Sequence, residues 1–169
     1  MHKIFSRDIA RTSAHDEHTT TEERVMPSRP IREVIQNQHL LRAPPTMMVS
    51  EAAELMKKKH VGALIVVRKQ QLAGIFTERD ALFRVLAAHA DPDRTPIGEV
   101  MTPTPQTIGA DRPFGHALHM MYEGGFRHVP VVENGEPVGI VSARDALSSE
   151  LAQFESDVIE REHIAEILG

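Results

Sequence analysis

Two nine-residue stretches hold the residues of this chain best suited to chemistry. Residues 74–82 read GIFTERDAL and residues 139–147 read GIVSARDAL, identical at six of nine positions and offset by 65. Each carries a glycine (Gly74, Gly139), a hydroxyl residue three positions on (Thr77, Ser142) and an Arg-Asp pair (Arg79-Asp80, Arg144-Asp145). Where such a stretch passes from strand to helix, the hydroxyl stands beside free N–H groups at the positive end of the helix dipole, a setting that suits phosphate. Arg79 and Arg144 can add charge-assisted contacts. Asp80 and Asp145 offer two acceptor oxygens apiece, which suits the neighbouring hydroxyls of a ribose. A carboxylate repels phosphate, so it belongs at the sugar end. Gly74 and Gly139, with no side chain, would let a ligand approach the backbone closely.

A structural reading competes with this one. Thr-x-x-Asp and Ser-x-x-Asp also form the pattern of a helix N-cap with an acidic residue in the first turn. A cap requires neither the preceding glycine nor the arginine, yet both recur. The two roles are compatible, because a capping hydroxyl still leaves N–H groups facing outward.

The elements that position these stretches are themselves duplicated, and the repeat is the main organisational signal. Val49, Ala52, Ala53 and Met56 match Phe114, Ala117, Leu118 and Met121 at the same offset, and both sets follow the spacing of a helix with one buried face. Thr46 and Asp111 stand ahead of these helices as expected N-caps, and Pro113 suits a first turn. GALIVV (62–67) and HVPVV (128–132) read as strands. Asn134-Gly135 marks a hairpin in the second copy, and VVRKQQLAGIF fills the same place in the first with a weaker turn signal. Each copy reads as helix, strand, hairpin, strand, helix. A unit of about 60 residues is marginal alone, so two should pack as one module. The expected division is a polar extension at 1–30, a first unit at 31–90, a linker at 91–96, a second unit at 97–152 and a C-terminal extension at 153–169.

The 60-residue repeat, the two strands and the paired GIFTERD and GIVSARD resemble the cystathionine-beta-synthase (CBS) domain in its tandem arrangement, the Bateman module, over roughly residues 31–152. The resemblance implies an α/β (α+β) fold of two β-α-β-β-α repeats packed as a pseudo-twofold pair through their sheets. It implies clefts between them that take adenosine-containing ligands: AMP, ADP, ATP, S-adenosylmethionine or NAD. The family's Gly-x-x-Ser/Thr-x-x-Asp motif falls on Gly74, Thr77 and Asp80 and on Gly139, Ser142 and Asp145. By that resemblance Asp80 and Asp145 hold ribose, and Thr77 and Ser142 hold phosphate with help from Arg79, Arg144, Arg127 and His128. Adenine lies against Val61, Gly62 and Ala63 in one copy and against His128, Val129 and Pro130 in the other. Ile65 stands where the second copy has Pro130, so the two walls differ. The resemblance also implies a small stand-alone regulatory protein, not an enzyme and without a catalytic cofactor. Such chains pair into a flat disc of four units and act on a protein partner.

Bulk properties narrow the classes further. The chain has 169 residues, 41% of them hydrophobic, and carries a formal charge of −5, which argues against a nucleic-acid-binding face. No apolar run suits a membrane span, and MHKIFSRDIARTS is not a secretory signal. With no cysteine, disulfides, thiolate metal sites and thiol catalysis are excluded. A cytoplasmic protein is expected. His116/His119 and His15/His18 lack a third convergent ligand, so no metal site is expected. Lys57–His60 suits a helix end, and Gly124-Gly125 a helix C-cap. Residues 12–30 are too polar to bury surface and read as linker or disorder. Residues 142–168 contain neither Pro nor Gly, and Leu147, Leu151, Phe154, Val158, Ala165 and Leu168 follow 4-3-4 spacing with Arg161 in the seam. An extended C-terminal helix that assists a homodimer is the expectation.

Overall fold

The computed structural model describes residues 29–147. The N-terminal extension and the C-terminal helix with its dimer role lie outside the described residues. The first unit contains α1 (Ile31–Ile35), β1 (Arg42–Ala43), α2 (Val49–Lys59), β2 (Ala63–Arg68), β3 (Gln71–Thr77) and α3 (Glu78–Asp80), which runs on as a π-helical turn at Ala81–Leu86. The second contains α4 (Ile97–Val100), β4 (Thr102–Pro103), α5 (Phe114–Gly124), β5 (His128–Glu133), β6 (Glu136–Ser142) and a 3₁₀ turn at Ala143–Ala146.

Both hairpins are antiparallel, β2 on β3 and β5 on β6, with a bulge at matching places, Val66/Val67 and Val131/Val132. Asn134 and Gly135 have φ of 52° and 83°, the doubly positive turn that suits the twist of a hairpin. Lys69 and Gln70 adopt the same turn at φ 50° and 68° without glycine. The β-branched Ile65, Val66 and Val67 make up half of β2, and it is buried along most of its length.

On α2, Val49, Ala52 and Met56 face the core, but Ala53 is exposed, so the buried stripe is narrower than its spacing predicts. On α5, Phe114, Ala117 and Met121 are buried and Leu118 partly so. The expected N-caps are corrected. Helix α2 is entered from Met48, whose N–H donates to the Glu51 carboxylate at 3.0 Å. Helix α5 is entered from Pro113, and Asp111 instead accepts from Arg32 at 2.8 Å.

The two units exchange their leading segments. Ile31 of α1 is fully buried in the second core, among Ile108, Phe114, Val129, Val131 and Val141. Ile97 and Val100 of α4 are buried in the first core, among Val49, Met56, Leu64 and Phe76. Strand β4 pairs with β3, with Thr102 opposite Ile75. Pro30 bridges to Pro113 and Pro96 to Met48, the same contact made twice. Between the units a third core of Ala63, Ile65 and Ile75 packs with Leu40, Leu72 and Ile140. Gln38 fastens this seam by donating to and accepting from the Ile140 backbone, each at 2.8 Å.

Candidate nucleotide clefts

Each strand-to-helix junction holds a closed hydroxyl–carboxylate pair. The Thr77 hydroxyl donates to Asp80 Oδ2 at 2.7 Å, and the Thr77 N–H reaches the same oxygen at 2.9 Å. The Asp80 N–H returns to the Thr77 hydroxyl at 3.3 Å. Ser142 repeats this with Asp145 Oδ2, its N–H at 2.6 Å and its hydroxyl at 3.0 Å. The capping role weighed from the sequence is therefore present at both sites. Asp80 is only 7% exposed and keeps Oδ1 directed 3.5 Å from Arg84 Nε.

Both junctions open onto clefts between the units. The Asp145 cleft, of about 330 Å³, brings Ser142, Arg144 and Asp145 against Val61, Gly62 and Ala63, with Gln38, His39 and His60 on its rim. The Asp80 cleft, of about 480 Å³, brings Thr77, Arg79 and Asp80 against Phe126, Arg127 and His128, with Thr104 and Gln106. Both volumes fall in the range of small-molecule sites, roughly 300–1,000 Å³. Each cleft thus takes its hydroxyl–Arg–Asp set from one unit and its opposing wall from the other. The Arg79 guanidinium donates across to the Gly125 carbonyl at 2.8 Å, and Arg84 donates to the Val100 and Met101 carbonyls at 3.1 and 2.6 Å.

Four residues expected at the ligand lie elsewhere. Gly74 and Gly139 line neither cleft, and their missing side chains make room for protein. A Cβ on Gly74 would stand 2.5 Å from Met101 Sδ and 2.8 Å from the Thr102 carbonyl, where β4 packs on β3. A Cβ on Gly139 would stand 2.7–2.9 Å from the Ile35 side chain of α1. Val129 is buried in the second core, Pro130 is fully buried on the opposite face of β5 where it pairs with Ile140, and neither lines a cleft. Leu64 and Ile65, their counterparts on β2, do reach the Asp145 cleft.

Other lining residues were not among those singled out in the sequence. Glu78 lines both clefts and pairs with Arg127, Oε1 to Nη2 at 2.9 Å. Its signal was the one motif position at which the copies differ in charge, Glu78 against Ala143. Thr104 has φ of 46°, in the left-handed region that a β-branched residue rarely occupies. Pro105 follows it and disfavours the right-handed helical region, and the strain lies at the edge of the Asp80 cleft. The repeat offset sets Thr104 opposite His39, a comparison that was available in the sequence. Burial holds His128 below the ordinary histidine range, with Arg127 and Arg144 acting in the same direction and Glu78 and Asp145 opposing. Among the described residues no cluster of three His, Asp or Glu suits a metal, and no helix is long and apolar enough to cross a membrane.

The CBS domain family model matches residues 28–87 and 97–151, and this chain belongs to that family. A CBS domain-containing protein of Arabidopsis thaliana is 34% identical over 116 residues, which are 68% of this chain and 21% of that protein. The chain therefore spans about a fifth of that relative's length. Among solved structures, an uncharacterized conserved protein from Pyrococcus horikoshii superposes with a TM-score of 0.68 at 30% identity, covering 73% of this chain and 93% of that one. A CBS domain protein from Pyrobaculum aerophilum, solved in complex with AMP, superposes with a TM-score of 0.64 at 28% identity, covering 74% and 99%.

Proposed function

We propose that this chain is a regulatory, non-enzymatic module that binds an adenine nucleotide (AMP, ADP, ATP or NAD) in its two clefts. The single observation that carries this reading is that both repeated hydroxyl–Arg–Asp sets open onto clefts of nucleoside size, each closed by the other unit. Asp80 and Asp145 would hold ribose, and Thr77, Ser142, Arg79, Arg144, Arg127 and His128 the phosphate. Support also comes from the Pyrobaculum aerophilum relative, whose structure contains AMP. Ligand bridging the units would shift their arrangement, which a protein partner reads. The shift requires unequal affinity for the two states, and linkage makes the partner alter ligand affinity equally. A homodimer working in the cytoplasm, without nucleic-acid or membrane binding, completes the proposal.

One observation favours a second reading. The Thr77–Asp80 and Ser142–Asp145 pairs cap their own helices, a structural role that a constitutive assembly or adaptor protein with unoccupied clefts would need as well. Thermal denaturation with AMP, ATP, NAD and S-adenosylmethionine separates the two. A ligand at 100 times its Kd stabilises the fold by about 2.7 kcal/mol, a readily visible rise in Tm. An unchanged Tm with all four compounds selects the adaptor.

A further inference from the structure

Among the described residues three line both clefts: Glu78, Arg127 and His128. The repeat explains why this shared wall is lopsided. The Glu78 N–H donates to the Gly62 carbonyl at 3.0 Å, and the Ala143 N–H donates to the Arg127 carbonyl at 3.0 Å. Glu78 therefore corresponds to Ala143, and Gly62 to Arg127. At this junction one unit contributes an anion and no cation, and the other a cation and no anion. The two charges meet in one ion pair between the clefts, at 2.9 Å. A Cβ on Gly62 would stand 3.1 Å from Glu78 Oε2, so the glycine leaves the space that the carboxylate occupies.

The side chains of Arg127 and Glu78 are 56% and 57% exposed, so their pairing adds little to stability and opens at small cost. Of the other arginines at the clefts, Arg144 lines the Asp145 cleft alone, and two at the Asp80 cleft hold carbonyls. Arg79 holds the Gly125 carbonyl, and Arg84 holds two carbonyls beside Asp80. Among the described residues, Arg127 is the arginine that lines both clefts, where an anion on either side can reach it.

We propose that Arg127 is one cation shared by two clefts, so that phosphate-bearing ligands bind the clefts antagonistically, with Glu78 the resident anion that the first ligand displaces. This rests on the nucleotide reading above. The first phosphate draws Arg127 to its side and releases Glu78. The second phosphate then meets a wall whose cation is neutralised and whose carboxylate is unpaired. A ligand without phosphate makes no claim on Arg127 and feels no such opposition. Because the pair is exposed, the antagonism weakens as salt rises.

Isothermal titration of the full chain with AMP, and separately with adenosine, tests this. Asp80→Asn and Asp145→Asn each weaken one cleft and report the affinity of the other by itself. The expected result is a second AMP step in the parent at least fivefold weaker than the weaker cleft measured singly. That gap closes in Arg127→Gln and with adenosine, and Glu78→Gln tightens the first AMP step severalfold. If a carboxylate variant fails to fold, the spread between the two AMP steps in the parent and in Arg127→Gln decides instead. Two AMP steps equal to the single-cleft affinities, or a gap that persists in Arg127→Gln, overturn the sharing alone. No AMP heat in any of the chains, together with a Tm unchanged by AMP, ATP, NAD and S-adenosylmethionine, overturns the nucleotide reading, and the sharing with it.

Discussion

The Asp80 carboxylate accepts both hydrogen bonds that Thr77 can give, one from its N–H and one from its hydroxyl, while 93% of Asp80 is withdrawn from solvent, leaving 7% exposed. One carboxylate thereby serves the fold with Oδ2 and keeps Oδ1 toward the cleft and Arg84.

This double use predicts separable defects. Thr77→Val removes the hydroxyl and should cost about 1 kcal/mol, the usual value of a helix cap, read by urea denaturation. Asp80→Asn keeps the shape but loses the charge, and hydrogen bonds to charged groups are worth about 1.5–3 kcal/mol. Its nucleotide affinity should fall roughly tenfold, with a smaller loss of stability. Stability that falls while calorimetric affinity holds would assign Asp80 to the cap alone.

Gly139 predicts a coupling between two segments far apart in the chain. Gly139→Ala drives a methyl into Ile35 and should cost about 1–3 kcal/mol by overpacking. Ile35→Ala makes the missing space. The double variant should be more stable than the sum of the single losses implies, by at least 0.5 kcal/mol in a double-mutant cycle. Nucleotide affinity, measured alongside, should not follow Gly139→Ala beyond the change in folding. An additive cycle would remove Ile35 as the reason for the glycine.

His128 predicts a pH dependence of definite sign. Its folded pKa lies below the ordinary value of about 6.5, with burial the largest cause. The unfolded chain therefore binds more protons in that range, and stability rises with pH. Stability should fall as pH drops from 7 through the ordinary histidine range, then level off below the folded pKa. His128→Asn should flatten this part of the profile in pH-dependent denaturation. An unchanged slope would place the titrating group elsewhere. Phosphate bound nearby favours the protonated ring, so AMP binding near pH 6 should be accompanied by proton uptake that His128→Asn abolishes.

Much of the architecture was legible because it was written twice. The 65-residue offset located α2, α5, both hairpins and the junctions, since burial and turn chemistry act within each copy. The exchange of α1 and α4 was hidden, because a short apolar helix carries no mark of which core it enters. The site was half legible. Thr77, Asp80, Ser142 and Asp145 sit at the clefts, but Gly74 and Gly139 serve packing contacts with Met101 and Ile35 that come from distant sequence. Val129 and Pro130 failed for a simpler reason: they point to opposite faces of β5 and both faces are covered there, Val129 by the second core and Pro130 on the side of Ile140. Glu78 escaped notice because its importance lies in a partner 49 residues away.

The reciprocal trade of α1 and α4 bears on how the protein can be cut. A nick between Asp91 and Thr95 yields two pieces, each lacking a helix that fills its own interior and each carrying its partner's. Neither piece alone should hold a finished core, whereas mixed together they should reassemble as a complemented pair. Dissecting this chain at its sequence boundary would therefore produce mutually dependent fragments, and any isolated half would misreport what the intact molecule does.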